Sequence, residues 1–126
     1  MITFPYPQYH PLIDEVVLRM YEAFPELHQF GEKGKQKCRE DNEHHFHHLE
    51  TAYQLDSEEI FVDYAIWLNG ILVRHGMKTS HLIDNFERIA VAITGNIEKE
   101  KEEKFQLYIH QAIQVLRMEK TRNEQV

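Results

Sequence analysis

Ile60-Phe61-Val62-Asp63-Tyr64-Ala65-Ile66-Trp67-Leu68-Asn69-Gly70-Ile71-Leu72-Val73-Arg74-His75-Gly76 is the stretch that settles the fold class. Ile60, Phe61, Tyr64, Trp67, Leu68, Ile71 and Leu72 recur at steps of three and four, the period of one helix face. Arg74 and His75 stand in the last turn, where cations meet the negative end of the helix dipole. Gly76 follows in the position just past a helix end. Upstream, Asp56-Ser57-Glu58-Glu59 reads as a break and a start, with Asp56 or Ser57 offering a side-chain oxygen to the first amides.

Working outward, the same period recurs. Thr79 or Ser80 caps a fourth helix carrying Leu82, Phe86, Ile89, Ala90 and Ile93, stopped near Gly95-Asn96. A fifth begins in the charged run from Glu98 to Lys104 and continues with Phe105, Tyr108, Ile109, Ala112, Ile113 and Leu116. That run reads as a solvated face, where a pair such as Glu100 with Lys104 adds only a few tenths of a kcal/mol. Before the quoted stretch, a second helix spans about Lys35 to Leu55, with Gly31 and Gly34 bracketing a turn. Its apolar face is thin: Cys38, Phe46, Leu49, Ala52 and Tyr53. A first helix starts at Pro11 and carries Leu12, Val16, Met20, Phe24 and Leu27, bent or ended near Pro25. Residues 1–10 read as an ordered arm, extended or turn-like, of prolines with Phe4, Tyr6 and Tyr9. The expected fold is all-α: an antiparallel bundle of about five helices in one domain, residues 1–126. Residues 96–126 form its last helix, charged at the start and frayed at the tail. Val16, Met20, Leu49, Trp67, Leu68, Phe86, Ile89 and Leu116 share the expected core.

Composition agrees. A chain of 126 residues suits one domain. With 42% hydrophobic and 28% charged residues it is not broadly disordered, and 5 Gly and 4 Pro are too few for a sandwich or barrel. One Cys excludes a disulfide framework and an all-thiolate zinc site, and fits a reducing, cytoplasmic setting. The net charge of −7 argues against nucleic acid. Its densest basic stretch, Lys33 to Arg39, is flanked by Glu32 and Glu40. No run approaches the ~18 apolar residues of a membrane helix, and Met1 to Pro5 lacks the pattern of a secretory signal.

The chemistry-bearing feature is Glu43-His44-His45-Phe46-His47-His48. On a helix His44 shares a face with His47 and His48, and two imidazoles so spaced can chelate a divalent transition metal. His44, His47 and His48 are therefore the metal candidates. A metal site needs a third or fourth ligand from another helix, and His10, His28, His75, His81 and His110 are all singles. The simpler reading splits the cluster. His45 aligns with Cys38, Leu49 and Ala52 as a hydrogen-bonded core histidine, and the others lie at the surface or a boundary. No catalytic set is present: no phosphate loop, no nucleophile elbow, no His-Glu-x-x-His, and Cys38 sits on the presumed buried stripe. Asn42, His45, Tyr64 and Trp67 are the candidates to line a ligand pocket. Tyr64, Asn42 and Asp63 are the polar groups that most need partners.

Residues 36–94 also resemble a known family. The residues that carry the likeness are Asp41, His45 and Leu49, spaced Asp-x-x-x-His-x-x-x-Leu, and Phe61-x-Asp63-Tyr64-x-x-Trp67 in the helix that ends Arg74-x-Gly76. The segment looks like the helical-bundle domain that precedes the cobalamin-binding module in corrinoid proteins and cobalamin-dependent sensor-regulators. That module's Asp-x-His-x-x-Gly motif is absent, and Arg74, not Glu, precedes His75. The resemblance therefore implies the bundle and a sensory or interaction role, without cobalamin bound by this chain alone. The expectation is a non-enzymatic regulatory, sensory or protein-interaction domain with no cofactor, binding a protein partner or a small apolar ligand. A homodimer through Phe4, Tyr6 and Tyr9 stays open, and the alternative is a metal-binding bundle.

Overall fold

The computed structural model describes residues 4–124. A 3-10 turn, Pro7–Tyr9, leads directly into α1, His10–Ala23, and a second 3-10 segment, Pro25–Phe30, connects to α2, Gly31–Gln54. Then come α3, Glu58–Arg74, α4, Thr79–Ile93, and α5, Lys99–Glu124. Among the described residues there is no strand, and no helix is long and apolar enough to cross a membrane. The fold is the expected all-α bundle of five helices. α5 lies against α3 and α4, α1 against α4 and α2, and α2 against α3. The core holds Val16, Met20, Leu49, Leu68, Phe86, Ile89 and Leu116, as the periodicity predicts. Phe61 and Phe86, with ring centroids 5.1 Å apart, join α3 to α4 at its centre.

Trp67 is the main correction: it is 63% exposed, while Asn69 is buried. The buried face of α3 centres on Phe61, Ala65 and Leu68. At 3.6 residues per turn, Trp67 points about 120° from Phe61 and Asn69 only about 80°. An apolar residue on nearly every side of α3 hides this choice from the pattern. Trp67→Ala is therefore expected to change stability by less than about 1 kcal/mol in urea unfolding, not by the several kcal/mol of a buried Trp.

Smaller corrections have local causes. α2 starts four residues earlier than expected. Gly31, with φ of 67°, makes the change of direction, and the helix continues through Gly34. A Cβ at Gly34 would run into that of Phe30, so the close approach of these two turns requires glycine. Neither Asp56 nor Ser57 caps α3 through its side chain; Ser57 stands at the N-cap without such a bond, and Asp56 takes the turn with φ of 49°. α4 begins at Thr79, so neither Thr79 nor Ser80 is the cap. Instead Lys78 N–H donates to His81 Nδ1 (3.2 Å), and His81 N–H returns a bond to Lys78 O (2.9 Å). Asp63 is exposed and needs no internal partner. Lys104 lies 3.7 Å from Asp56 across the α2–α3 turn.

Of the extended and turn-like alternatives for the N-terminal arm, residues 7–9 take the turn, a single 3-10 coil. Residues 1–3 of the arm and 125–126 of the expected frayed tail lie outside the described residues. Tyr9 is buried, stacked on Phe46 (4.7 Å), and its hydroxyl donates to Glu50 of α2. Phe4 and Tyr6 also pack on the chain's own core. Tyr6 and Tyr9 thus cover α2 of the same chain.

Candidate functional site

α2 carries the polar residues that converge inside the bundle. Its amide and imidazole side chains at positions 42 and 45 fall on the same stripe as Cys38 and Leu49, so folding turns them inward with the apolar ones. His45 is 1% exposed, and its Nδ1 lies 2.7 Å from the Tyr64 hydroxyl of α3. The ring also meets the edge of Phe86 of α4 (5.1 Å). Asn42 donates to Cys38 O (2.9 Å) and to Asn85 Oδ1 (3.1 Å), and Asn85 Nδ2 returns a bond to Asn42 Oδ1 (2.7 Å). The Cys38 carbonyl can only accept, which fixes the orientation of the Asn42 amide and, through it, that of Asn85.

Of these groups, His45, Asn85 and Cys38 form the floor of a cavity of about 300 Å³ between α1, the 25–30 segment, α2, α3 and α4. Met20, Leu27, Leu68, Ile71, Leu72 and Leu82 make its apolar walls. His45, Asn85, Cys38 and Asp41 supply its inner polar atoms, and Lys37, His75 and Phe30 stand at the solvent side. Burial drives the His45 pKa down to about 3, against a smaller opposing effect of Asn85, so the ring is neutral at physiological pH. Burial likewise pushes the Cys38 thiol up to about 11, which leaves it protonated and a poor nucleophile. It also raises the Asp41 carboxyl from its ordinary value, opposed by Lys37 at 3.1 Å. The Tyr64 phenol is raised too, again chiefly by burial. The His45 ring and the Cys38 thiol are held neutral and Asp41 is paired with Lys37, which makes the floor a hydrogen-bonded binding surface.

Of the four pocket candidates from the sequence, His45 alone lines this cavity. Tyr64 and Asn42 stand behind it and hold His45 and Asn85 in place. Trp67 does not belong: it is exposed, 6.4 Å from the Tyr64 ring. Asn85 escaped the sequence reading, although a polar residue three after Leu82 and four before Ile89, inside an apolar stripe, is the signal that could have found it. Glu50 escaped the reading too, although it lies four residues after Phe46 on the apolar stripe of α2.

The metal candidates do not converge. His44 is exposed, while His47 and His48 are half-buried. His48 donates through Nδ1–H to His44 O (2.8 Å) and stacks on Tyr64 (3.7 Å between centroids), and its pKa is lowered, chiefly by burial. His47 packs edge-on to Tyr6. Glu43, the nearest acid on the helix face, is taken by His10 of α1 (3.1 Å). Among the described residues no group of three His, Cys, Asp or Glu side chains is placed to hold a metal ion. Two of the four cations in the basic stretch are paired, Lys37 by Asp41 and Arg39 by Asp14.

No family model matches the chain, and neither a curated protein nor a solved structure does.

Proposed function

We propose that this chain is a non-enzymatic sensory or regulatory domain that binds a small, largely apolar ligand between α1, α2, α3 and α4. The observation that carries this reading is the cavity of about 300 Å³ with apolar walls and a pre-arranged polar floor of His45 and Asn85. Ligand sites in proteins are of this kind: apolar, largely pre-formed, with a few fixed polar groups that set orientation. A bundle with a well-packed core has no packing reason to leave such a space, since interiors are normally filled to crystal-like density. Five elements meet at the cavity, so an occupant stabilises their mutual packing and gives the bundle a state to report. The resemblance of residues 36–94 to the helical domain of cobalamin-dependent regulators supports a sensory role in the same direction. A cytoplasmic location is part of this reading, supported by the lone, half-buried Cys38.

The test is fluorescence titration with the neutral probe N-phenyl-1-naphthylamine. Saturable one-to-one binding is expected, and probe at about one hundred times its Kd raises stability by about 2.7 kcal/mol through mass action. Ile71→Trp, at the half-buried wall, fills the cavity and abolishes binding while leaving the helical circular dichroism unchanged. Absence of saturable binding to the parent protein would overturn the reading.

A further inference from the structure

The proton positions on the cavity floor define what the ligand must look like. Tyr64 is buried, and among the described residues its hydroxyl has one hydrogen-bond partner, His45 Nδ1. A buried O–H needs an acceptor, so Tyr64 donates and His45 Nδ1 accepts. A neutral imidazole then carries its proton on the other nitrogen, Nε2, which becomes a donor. Asn85 adds to it. Its Nδ2 donates to Asn42 Oδ1, and an amide nitrogen has a second hydrogen to give. The Asn85 carbonyl oxygen accepts from Asn42 Nδ2, and the Asn85 side chain also neighbours the His45 ring. The Cys38 S–H is a further weak donor. The floor is therefore rich in donors and poor in acceptors. Its one carboxylate, Asp41, is tied to Lys37.

Charge and size narrow the class further. Neither His45 nor Asn85 can supply a positive charge to a bound anion, and Lys37 at the solvent side is already paired with Asp41. A cation would have to leave water for a site whose only acid is already paired. An engineered cavity of 150 Å³ accommodates benzene, so about twice that volume suits a bicyclic ring or a chain of similar bulk. We infer that the ligand is an uncharged, mostly apolar molecule of roughly ten to fifteen heavy atoms that presents one carbonyl-type acceptor to His45 Nε2 and the Asn85 amide. This rests on the ligand-binding reading of the cavity and adds the chemical class.

Three probes of one shape separate the possibilities: 2-acetylnaphthalene, 2-ethylnaphthalene and 2-naphthoate, measured by calorimetry or by displacement of N-phenyl-1-naphthylamine. The ketone is expected to bind roughly tenfold tighter than the hydrocarbon, the effect of one net hydrogen bond, and the carboxylate weakest of the three. Asn85→Leu removes the amide donor and narrows the difference in affinity between ketone and hydrocarbon. Should that variant fail to fold, nitrogen-15 NMR of the parent protein reads the same contact directly. His45 Nε2 keeps its proton and shifts with the ketone but not with the hydrocarbon. Equal binding of ketone and hydrocarbon, or tightest binding of the carboxylate, overturns the assigned class while the cavity still binds. Failure of all three to bind removes the ligand-binding reading itself, and this inference with it.

Discussion

Glu50→Ala is expected to lower folding stability by about 3–5 kcal/mol, the usual loss when one partner of a buried ion pair is removed. Glu50 is 3% exposed, yet it sits where the arm, α2 and α5 meet. It accepts a hydrogen bond from the Tyr9 hydroxyl and another from Lys101 Nζ at 2.8 Å. Lys101 also lies 5.3 Å over the Tyr53 ring. Alanine strands both donors in a site where water is scarce. The Lys101 side chain is 23% exposed and can recover some hydration, which places the loss toward the lower end. Glu50→Gln keeps an acceptor for Tyr9 but not the charge, and should fall between the parent and the alanine variant. Tyr9→Phe removes only one hydroxyl and should cost about 1 kcal/mol. Urea unfolding followed by circular dichroism at pH 7.5 gives all three values. A Glu50→Ala loss under 1 kcal/mol would mean that the arm and α5 are not anchored through this carboxylate.

Acidification from pH 7.5 to 5.0 should remove about 2 kcal/mol of stability through His45 alone. Its ordinary pKa is 6.5 and the folded value is about 3, lowered chiefly by burial. The unfolded chain thus takes up a proton below about 6.5 that the folded chain refuses. The stabilisation is complete above pH 6.5 and is lost as pH falls toward 3. At pH 5 its size follows from the unfolded value, since the folded ring is neutral in either case. The facing groups do not offset this: His44 and His48 on α2 push the same way, and only Asn85 pushes back. His48 is itself lowered by burial and adds in the same direction. Stability measured against His45→Gln at both pH values isolates the effect, because the variant lacks the titrating ring. The ring signals of His45 in the parent protein should not move between pH 7.5 and 5.0. A His45 titration near pH 6 would show the ring to be hydrated and would remove the neutral floor of the cavity.

The helices were readable because each is an independent local statement. The three-and-four period of Phe61, Tyr64 and Leu68, the Gly76 and Gly95 stops, and the shortage of turn residues need no knowledge of neighbours. His45 was readable as an inward histidine for the same reason, since it shares a stripe with Cys38, Leu49 and Ala52. What the chain alone could not rank was one apolar or polar residue against another on the same helix. Trp67 and Asn69 differ by about 40° in their distance from the buried face of α3, and which one is covered depends on where α2 and α5 lie. The pairing of Asn42 with Asn85 and of Glu50 with Tyr9 and Lys101 joins residues 41 to 51 positions apart, and no local pattern records such partners. The cavity is less local still. It is a volume between five elements, defined by side chains that fail to meet, and it exists only once the helices have been set at their distances. Periodicity determines which face of a helix turns inward; the mutual placement of the helices determines what that face finds there.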